Sequence, residues 1–322
     1  TLDGNKFVMK LEIKDIIDRH KNIPCVVTCH GPSLTPHKKK IEDLQEQGKI
    51  LRIDVNEWYD FFDTKPDYWV VSNGEFTIEN SINENNLWKQ RNYPPDVFNS
   101  YGIPLFYNMT ADLSDPEFVE QNLKCDYLPY DTKHFKGHDC KKILTNFLEY
   151  ANRNQDLNFT YYGNNAQMWQ YPDVSEVNPY CQAVHKDIAN GWSMDKRCCI
   201  NMDGRLTIQE ALRVLSGYPQ HMGVGQTVGI FCLIFATLMG CNPIYISGLD
   251  LDYTLGYAEG NTDKPNYIPN LGNVGHWRHV YRNFLLDDMR ILKESAENLG
   301  IKIINLNKDS WHTVFEKGQL FD

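Results

Sequence analysis

Acidic and phenolic side chains crowd one stretch of this sequence, Ser247 to Gly260 (SGLDLDYTLGYAEG), with Asp250, Asp252, Tyr253 and Tyr257 close together. The stretch follows PIYI, Pro243 to Ile246, whose β-branched residues around Tyr245 predict a short buried strand. Open α/β sheets bind their ligands in loops at the carboxyl ends of strands, so this stretch is a candidate site. A second candidate is Gly31-Pro32-Ser33, a tight turn after IPCVVT. Strand, glycine turn and helix N-terminus in that order would present free N–H groups and a positive helix end to an anion. The plain alternative is that Gly31 only turns the chain. Asn56 and Asn73 each close an apolar run. An amide both donates and accepts, so it can meet a base edge, a ribose or a phosphate; asparagine is equally a common turn residue. His276, Arg278, His279, Tyr281 and Arg282 cluster in NLGNVGHWRHVYRN.

These groups need positioning elements. Val228 to Leu238 is an apolar run long enough for about three turns of buried helix, and Gly240 is placed to stop it. Buried strands are expected at 23–28, 50–55, 66–72, 103–107, 243–246 and 301–306. Helices are expected in the lead-in 1–22 (stripe Leu11, Ile13, Ile16, Ile17), near Pro36 with Ser33 or Thr35 as its cap, in part of 77–100, at 115–123, 141–152 and 208–215, and from Trp277 to Leu299. Strands alternating with helices imply one α/β domain over 1–322, a doubly wound, mostly parallel, Rossmann-like sheet. Residues 155–200 carry Tyr161, Tyr162, Trp169, Tyr171, Tyr180, Trp192, Asn164 and Asn165, and are too long for an ordinary connection. They are expected to form an aromatic-rich insertion, either a lid over the site or a surface-packed excursion.

Composition bounds the function. A net charge of −10 over 322 residues argues against a nucleic-acid phosphate grip. No run reaches membrane-spanning length, and no signal-peptide pattern is visible. The nine cysteines form no CxxC pair, which favours reduced thiols and a cytoplasmic setting. In that setting the sequon matches at Asn108 and Asn158 carry no meaning.

Two blocks taken together carry a resemblance. CHGPSL (29–34) resembles the GxGPSL motif of bacterial sialyltransferases that use CMP-sialic acid, and of the related motility accessory factors and DUF115 proteins. Gly225-Gln226-Thr227-Val228, the apolar helix, Gly240-Cys241, IYISGLD, Tyr253 to Ala258 and VGH ending at His276 follow the family's order. The likeness spans about 23–102 and 220–310.

The resemblance implies a glycosyltransferase moving a nonulosonic, sialic-acid-like sugar from an activated nucleotide to a glycan or other hydroxyl acceptor. It makes His276 the general base and Tyr253 and Tyr257 the donors to the departing phosphate. It gives Asn56, Asn73, Gln226, Thr227, Gly248 and Asp250 to the nucleotide donor, with Gly31 and Ser33 bordering the phosphates. No cofactor is expected beyond the donor. Asp250-x-Asp252 also mimics a metal-binding DxD, but in the resembled family the first aspartate belongs to the fold and no metal is needed. His30 stands where the family commonly has asparagine, which leaves another nucleotide open. Two alternatives remain: a Mg²⁺-dependent pterin diphosphokinase of the DUF115 type, with Asp250 and Asp252 under the phosphates, and a catalytically inactive sugar- or partner-binding module. Peripheral membrane association and oligomeric state are left open.

Overall fold

The computed structural model describes residues 8–71, 95–108, 121–130, 208–218, 222, 227–251, 258 and 274–321. Eight strands form one parallel sheet: β1 Cys25–Thr28, β2 Leu51–Val55, β3 Tyr68–Val71, β4 Leu105–Asn108, β5 Tyr127–Tyr130, β6 Ile244–Ser247, β7 Ile303–Asn305 and β8 Glu316–Lys317. Their order is β5-β4-β3-β2-β1-β6-β7-β8. The chain builds outward from β1 in one direction, then returns to β6 on the other side of β1 and builds outward again. The β1/β6 boundary is therefore the topological switch point, where open sheets of this kind hold their ligands. The expected Rossmann-like α/β class is what the chain adopts.

Both faces of the sheet are covered. Cys25, Val27, Ile53, Phe106 and Ile246 pack on one side, and Val26, Trp69, Leu105, Tyr107 and Tyr245 on the other. The first side receives α5 (Val228–Leu238), which lies on β1, β2, β3 and β6 and against α4 (Ile208–Ser216) and α6 (Val274–Asn298). Residues 229–238 of α5 are all buried, the expected fate of a helix apolar all round. The second side receives α2 (Lys38–Glu46) and α3 (Pro95–Tyr101), with Trp58, Phe61 and Phe98 filling the layer.

Several local expectations change. The lead-in helix shrinks to a single turn, α1 Ile13–Ile16. Its continuation has another task. The N–H groups of Asp18, His20 and Asn22 donate to the carbonyls of Leu238, Met239 and Gly240. They satisfy acceptors that the end of α5 leaves open, so residues 18–22 cannot also propagate a helix. Neither Ser33 nor Thr35 caps α2: residues 32–34 form a 3₁₀ turn, and His37 precedes α2 without a side-chain cap.

Two strands go beyond the sequence expectations. β5 (YLPY) carries Pro129, which marks an edge strand rather than none. Its border is covered by residues 9–11: the Tyr127 N–H donates to the Met9 carbonyl, and the Leu11 N–H to the Tyr127 carbonyl. β8 has two exposed residues and no apolar signal. The helices expected at 141–152 and the insertion at 155–200 lie outside the described residues, as does most of 115–123. Among the described residues no helix is long and apolar enough to cross a membrane.

Candidate functional site at the sheet switch point

Gly248 leaves β6 with φ +76, a conformation costly for any residue with a side chain. The turn lets three loops meet. The Gly31 N–H donates to the Gly248 carbonyl at 2.9 Å. The Gly248 N–H donates to Ser33 Oγ at 3.1 Å, and the Ser33 N–H to Asp250 Oδ2 at 2.9 Å. The second oxygen of Asp250 accepts from Asn307 Nδ2 at 2.8 Å, and its carbonyl accepts from Trp311 Nε1 at 3.0 Å. Asp250 thus ties the loops after β1, β6 and β7 together. A Cβ on Gly31 would collide with Asp250 Oδ2 and the Gly248 carbonyl, and one on Gly248 with the Cys29 carbonyl.

This network corrects one expectation. The Gly31 turn presents no free N–H groups to an anion. Gly31 and Ser33 donate as above, Leu34 and Thr35 donate within the 3₁₀ turn, and Pro32 has none to give. The carboxylate of Asp250 fills the place expected for an external anion.

Among the described residues, another helix N-terminus at the switch point is that of α5. Thr227 caps it, accepting from the Ile230 N–H with its side chain and carbonyl, while the Phe231 N–H also reaches the Thr227 carbonyl. The first-turn N–H groups of Val228 and Gly229 have no intrahelical acceptor, by helix geometry. A Cβ on Gly229 would come within 2.6 Å of Cys29 Sγ and 2.9 Å of Leu249 Cδ1, so glycine lets the helix seat directly against the ends of β1 and β6.

Beside it, the end of β2 carries a buried polar row. β2 runs LRIDV, with Arg52 and Asp54 on one face because strand side chains alternate. Asp54 is paired in register with Thr28, which is paired in turn with Ser247. Asp54 Oδ2 lies 3.6 Å from Arg52 Nε, and Asp54 Oδ1 lies 3.4 Å from His30 Nε2. Arg52 is held by Thr64, through its hydroxyl at 2.9 Å and its carbonyl, and sits 4.0 Å over the Phe62 ring. Burial lowers the Arg52 pKa from its ordinary value, while Asp54, Glu42 and Asp67 oppose the shift. Five buried side-chain atoms here have no hydrogen-bond partner: His30 Nε2, Arg52 Nε, Asp54 Oδ2, Asn56 Oδ1 and Ser247 Oγ. Buried polar atoms are nearly always paired, and three of these, on His30, Asp54 and Arg52, face one another at ion-pair distance.

The backbone of Asn56 takes the turn role weighed for it. Its φ of +41 and its backbone bonds, N–H to the Val70 carbonyl and carbonyl from the Trp58 N–H, make it a turn residue, while its side-chain oxygen stays unmatched.

Gly31, Ser33, Asn56, Thr227, Gly248 and Asp250 therefore gather at the carboxyl ends of β1, β2 and β6. Asn73, Gln226, Asp252, Tyr253 and Tyr257 lie outside the described residues. His276 has a described backbone, and it is helical: α6 begins at Val274, so His276 sits in the first turn rather than on a loop before it. The His30–Asp54–Arg52 row, and Asn307 and Trp311 as anchors of Asp250, go beyond the sequence assignments. The available signal was two opposite charges at i and i+2 in an otherwise apolar strand, which a central position obliges to pair. Among the described residues, no group of three or more histidine, cysteine, aspartate or glutamate side chains is arranged to hold a metal ion.

No protein-family model matches the chain, and no curated protein does. Among solved structures the chain is similar to two of the sialyltransferase CstII from Campylobacter jejuni. One, in complex with the substrate analogue cytidine-5'-monophosphate, shows 12% identity over 92% of this chain and 85% of that one, with a TM-score of 0.35. The other, in complex with CMP-3FNeuAc, shows 13% identity over 91% and 84%, with a TM-score of 0.36. A likeness this distant carries no argument about activity.

On the far side of Asp250, His312 is 2% exposed, with Nε2 3.4 Å from Asn305 Nδ2. Burial lowers its pKa to about 4; Lys317 adds to the shift, while the Leu249 carbonyl and Asp250 oppose it. The unfolded chain takes up the proton near pH 6.5, and the folded chain only near pH 4. His312 therefore costs nothing above pH 6.5 and draws the protein toward unfolding as pH falls through that window, by about 3 kcal/mol at its lower end. Urea midpoints measured from pH 7 to 4 should fall less steeply in His312→Gln than in the parent. Parallel curves would show that the ring is protonated in place.

Proposed function

We propose that the chain is a glycosyltransferase that moves a sialic-acid-like sugar from a nucleotide-activated donor to a hydroxyl acceptor, without a metal. One observation carries the reading. At the β1/β6 switch point, the capped N-terminus of α5 is seated by Gly229 against Cys29 and Leu249, just past the ends of both strands, and Asn56, at the end of the next strand β2, keeps an unmatched amide oxygen. N–H groups at a helix start suit a phosphate, and an amide at the neighbouring strand end suits a ribose or base. Gln226 and Thr227 precede that helix start, as the resemblance to the sialyltransferases requires.

In this reading the acceptor oxygen attacks the anomeric carbon while His276 takes its proton. The bond from that carbon to the phosphate oxygen breaks, and the nucleotide leaves with the electron pair. Tyr253 and Tyr257 donate hydrogen bonds to the departing phosphate, which does the work a metal would otherwise do. Support for the metal-free form comes from Asp250, whose two carboxylate oxygens accept from Ser33 and Asn307 and so tie loops together.

Thermal-shift measurements with CMP, CDP, UDP, GDP and ATP, each with and without Mg²⁺, test the proposal. A cytidine nucleotide should raise the midpoint equally in both conditions by mass action, and transfer from CMP-sialic acid should survive EDTA. Stabilisation by ATP with Mg²⁺ alone, together with loss of turnover in EDTA, would replace this reading with the diphosphokinase.

A further inference from the structure

We propose that the cleft between α6 and the chain that follows β7 binds a neutral oligosaccharide, the body of the hydroxyl acceptor. The acceptor role rests on the glycosyltransferase reading above; the sugar chemistry rests on the cleft alone.

The cleft has a volume of about 450 Å³, within the range of small-molecule sites. One wall is α6. Its Leu285, Met289, Leu292 and Ala296 are buried in the core, which fixes the helix in place. Arg290, Lys293, Glu294 and Glu297 recur at helical spacing on another side and line the cleft. A charged helix face is by itself ordinary solvated surface. Here a second wall faces it, formed by residues 311–314 and including Trp311 and Thr313. The Trp311 indole is pinned by its nitrogen, which donates to the Asp250 carbonyl at 3.0 Å. That bond sets this wall of the cleft beside the switch-point network. It also uses the only polar atom of the ring, so Trp311 offers the cleft carbon surface.

The lining selects the ligand. Two cations stand with two carboxylates, so on balance the cleft attracts neither an anion nor a cation. Lys293 Nζ lies 3.7 Å from Glu297 Oε1, and the Tyr218 hydroxyl donates to Glu294. A ligand that meets both signs must donate to carboxylates and accept from guanidinium and ammonium groups. A hydroxyl does both. A sugar carries hydroxyls around its rim and C–H groups on its flat side, and that flat side suits the carbon surface of an indole. Arg290 to Glu297 covers about 10 Å of helix, longer than one sugar ring, so a chain of sugars fills the cleft better than a monosaccharide. Binding energy gathered there, away from the reacting hydroxyl, would hold the acceptor in place for transfer.

An array of neutral and acidic oligosaccharides, followed by calorimetry on those retained, tests the cleft. The full chain should retain at least one neutral oligosaccharide with no nucleotide present. Arg290→Ala and Glu297→Ala, both at exposed side chains, should each weaken that binding about ten-fold. Trp311→Ala should weaken it further, while Trp311→Phe keeps a ring and most of the affinity. Affinity for CMP should not change in Arg290→Ala or Glu297→Ala. With CMP-sialic acid as donor, these two variants should raise the KM for an oligosaccharide acceptor and leave the KM for a monosaccharide acceptor unchanged. Retention of acidic sugars alone, or of none, would overturn the proposal, as would a neutral sugar whose affinity the variants leave untouched. If sugar binds through the cleft but no nucleotide binds, the glycosyltransferase reading fails and the cleft stands as a sugar site.

Discussion

Replacing His276 by alanine should lower kcat roughly 10²–10⁴-fold, the usual contribution of a positioned base, and leave the melting temperature and nucleotide affinity nearly unchanged. A hydroxyl is a poor nucleophile at neutral pH, so its proton must be taken as the bond forms. In the proposed reading the nucleotide is held by other elements, the ends of β1 and β2 and the start of α5, so binding should survive. The helical backbone at 276 sharpens the test. Since α6 begins at Val274, His276 and His279 are separated by one helical turn and share a side of the helix. His279→Ala is the internal control. If it abolishes turnover while His276→Ala is tolerated, the base lies one turn further along. If both are tolerated, transfer does not use a histidine of α6 and the assignment of the base fails.

Gly248→Ala should destabilise the protein by about 4 kcal/mol or more, because strain and collision combine there. The residue has φ +76, and a methyl group there would run into the Cys29 carbonyl, backbone that cannot yield cheaply. Gly48 and Gly300 are controls. They share the left-handed conformation, with φ of +65 and +73, but nothing lies near the added carbon. Their alanine variants should lose only about 1 kcal/mol. Urea unfolding of the three variants separates local strain from the close meeting of strand ends. A loss at 248 no greater than at the controls would show that the β1 and β6 loops part easily. The protein would then lack the rigid junction on which the candidate site depends.

How far the chain could be read without its structure depended on whether a signal was local. The parallel α/β class was legible because CVVT, LRIDV, YWVV and IYIS are short runs rich in β-branched and aromatic residues that lead into turns, and because Val228–Leu238 is apolar on every face, as a buried helix is. The gathering of Gly31, Asn56 and Gly248 was legible for the same reason: each closes a strand, and parallel strands place their carboxyl ends along one rim. Those features follow from backbone geometry and burial, which neighbouring residues settle among themselves. What the tertiary structure alone decided depends on residues far apart in the chain. Only the order of strands made the β1/β6 boundary the switch point. Only the approach of residue 250 to residue 33 turned the expected anion cradle into an internal carboxylate bond. Asp18, His20 and Asn22 lost their helix to the open carbonyls of α5, more than 200 residues away. Arg52, Asp54 and His30 became a row because a central strand excludes water from both faces, and charges confined there must find one another.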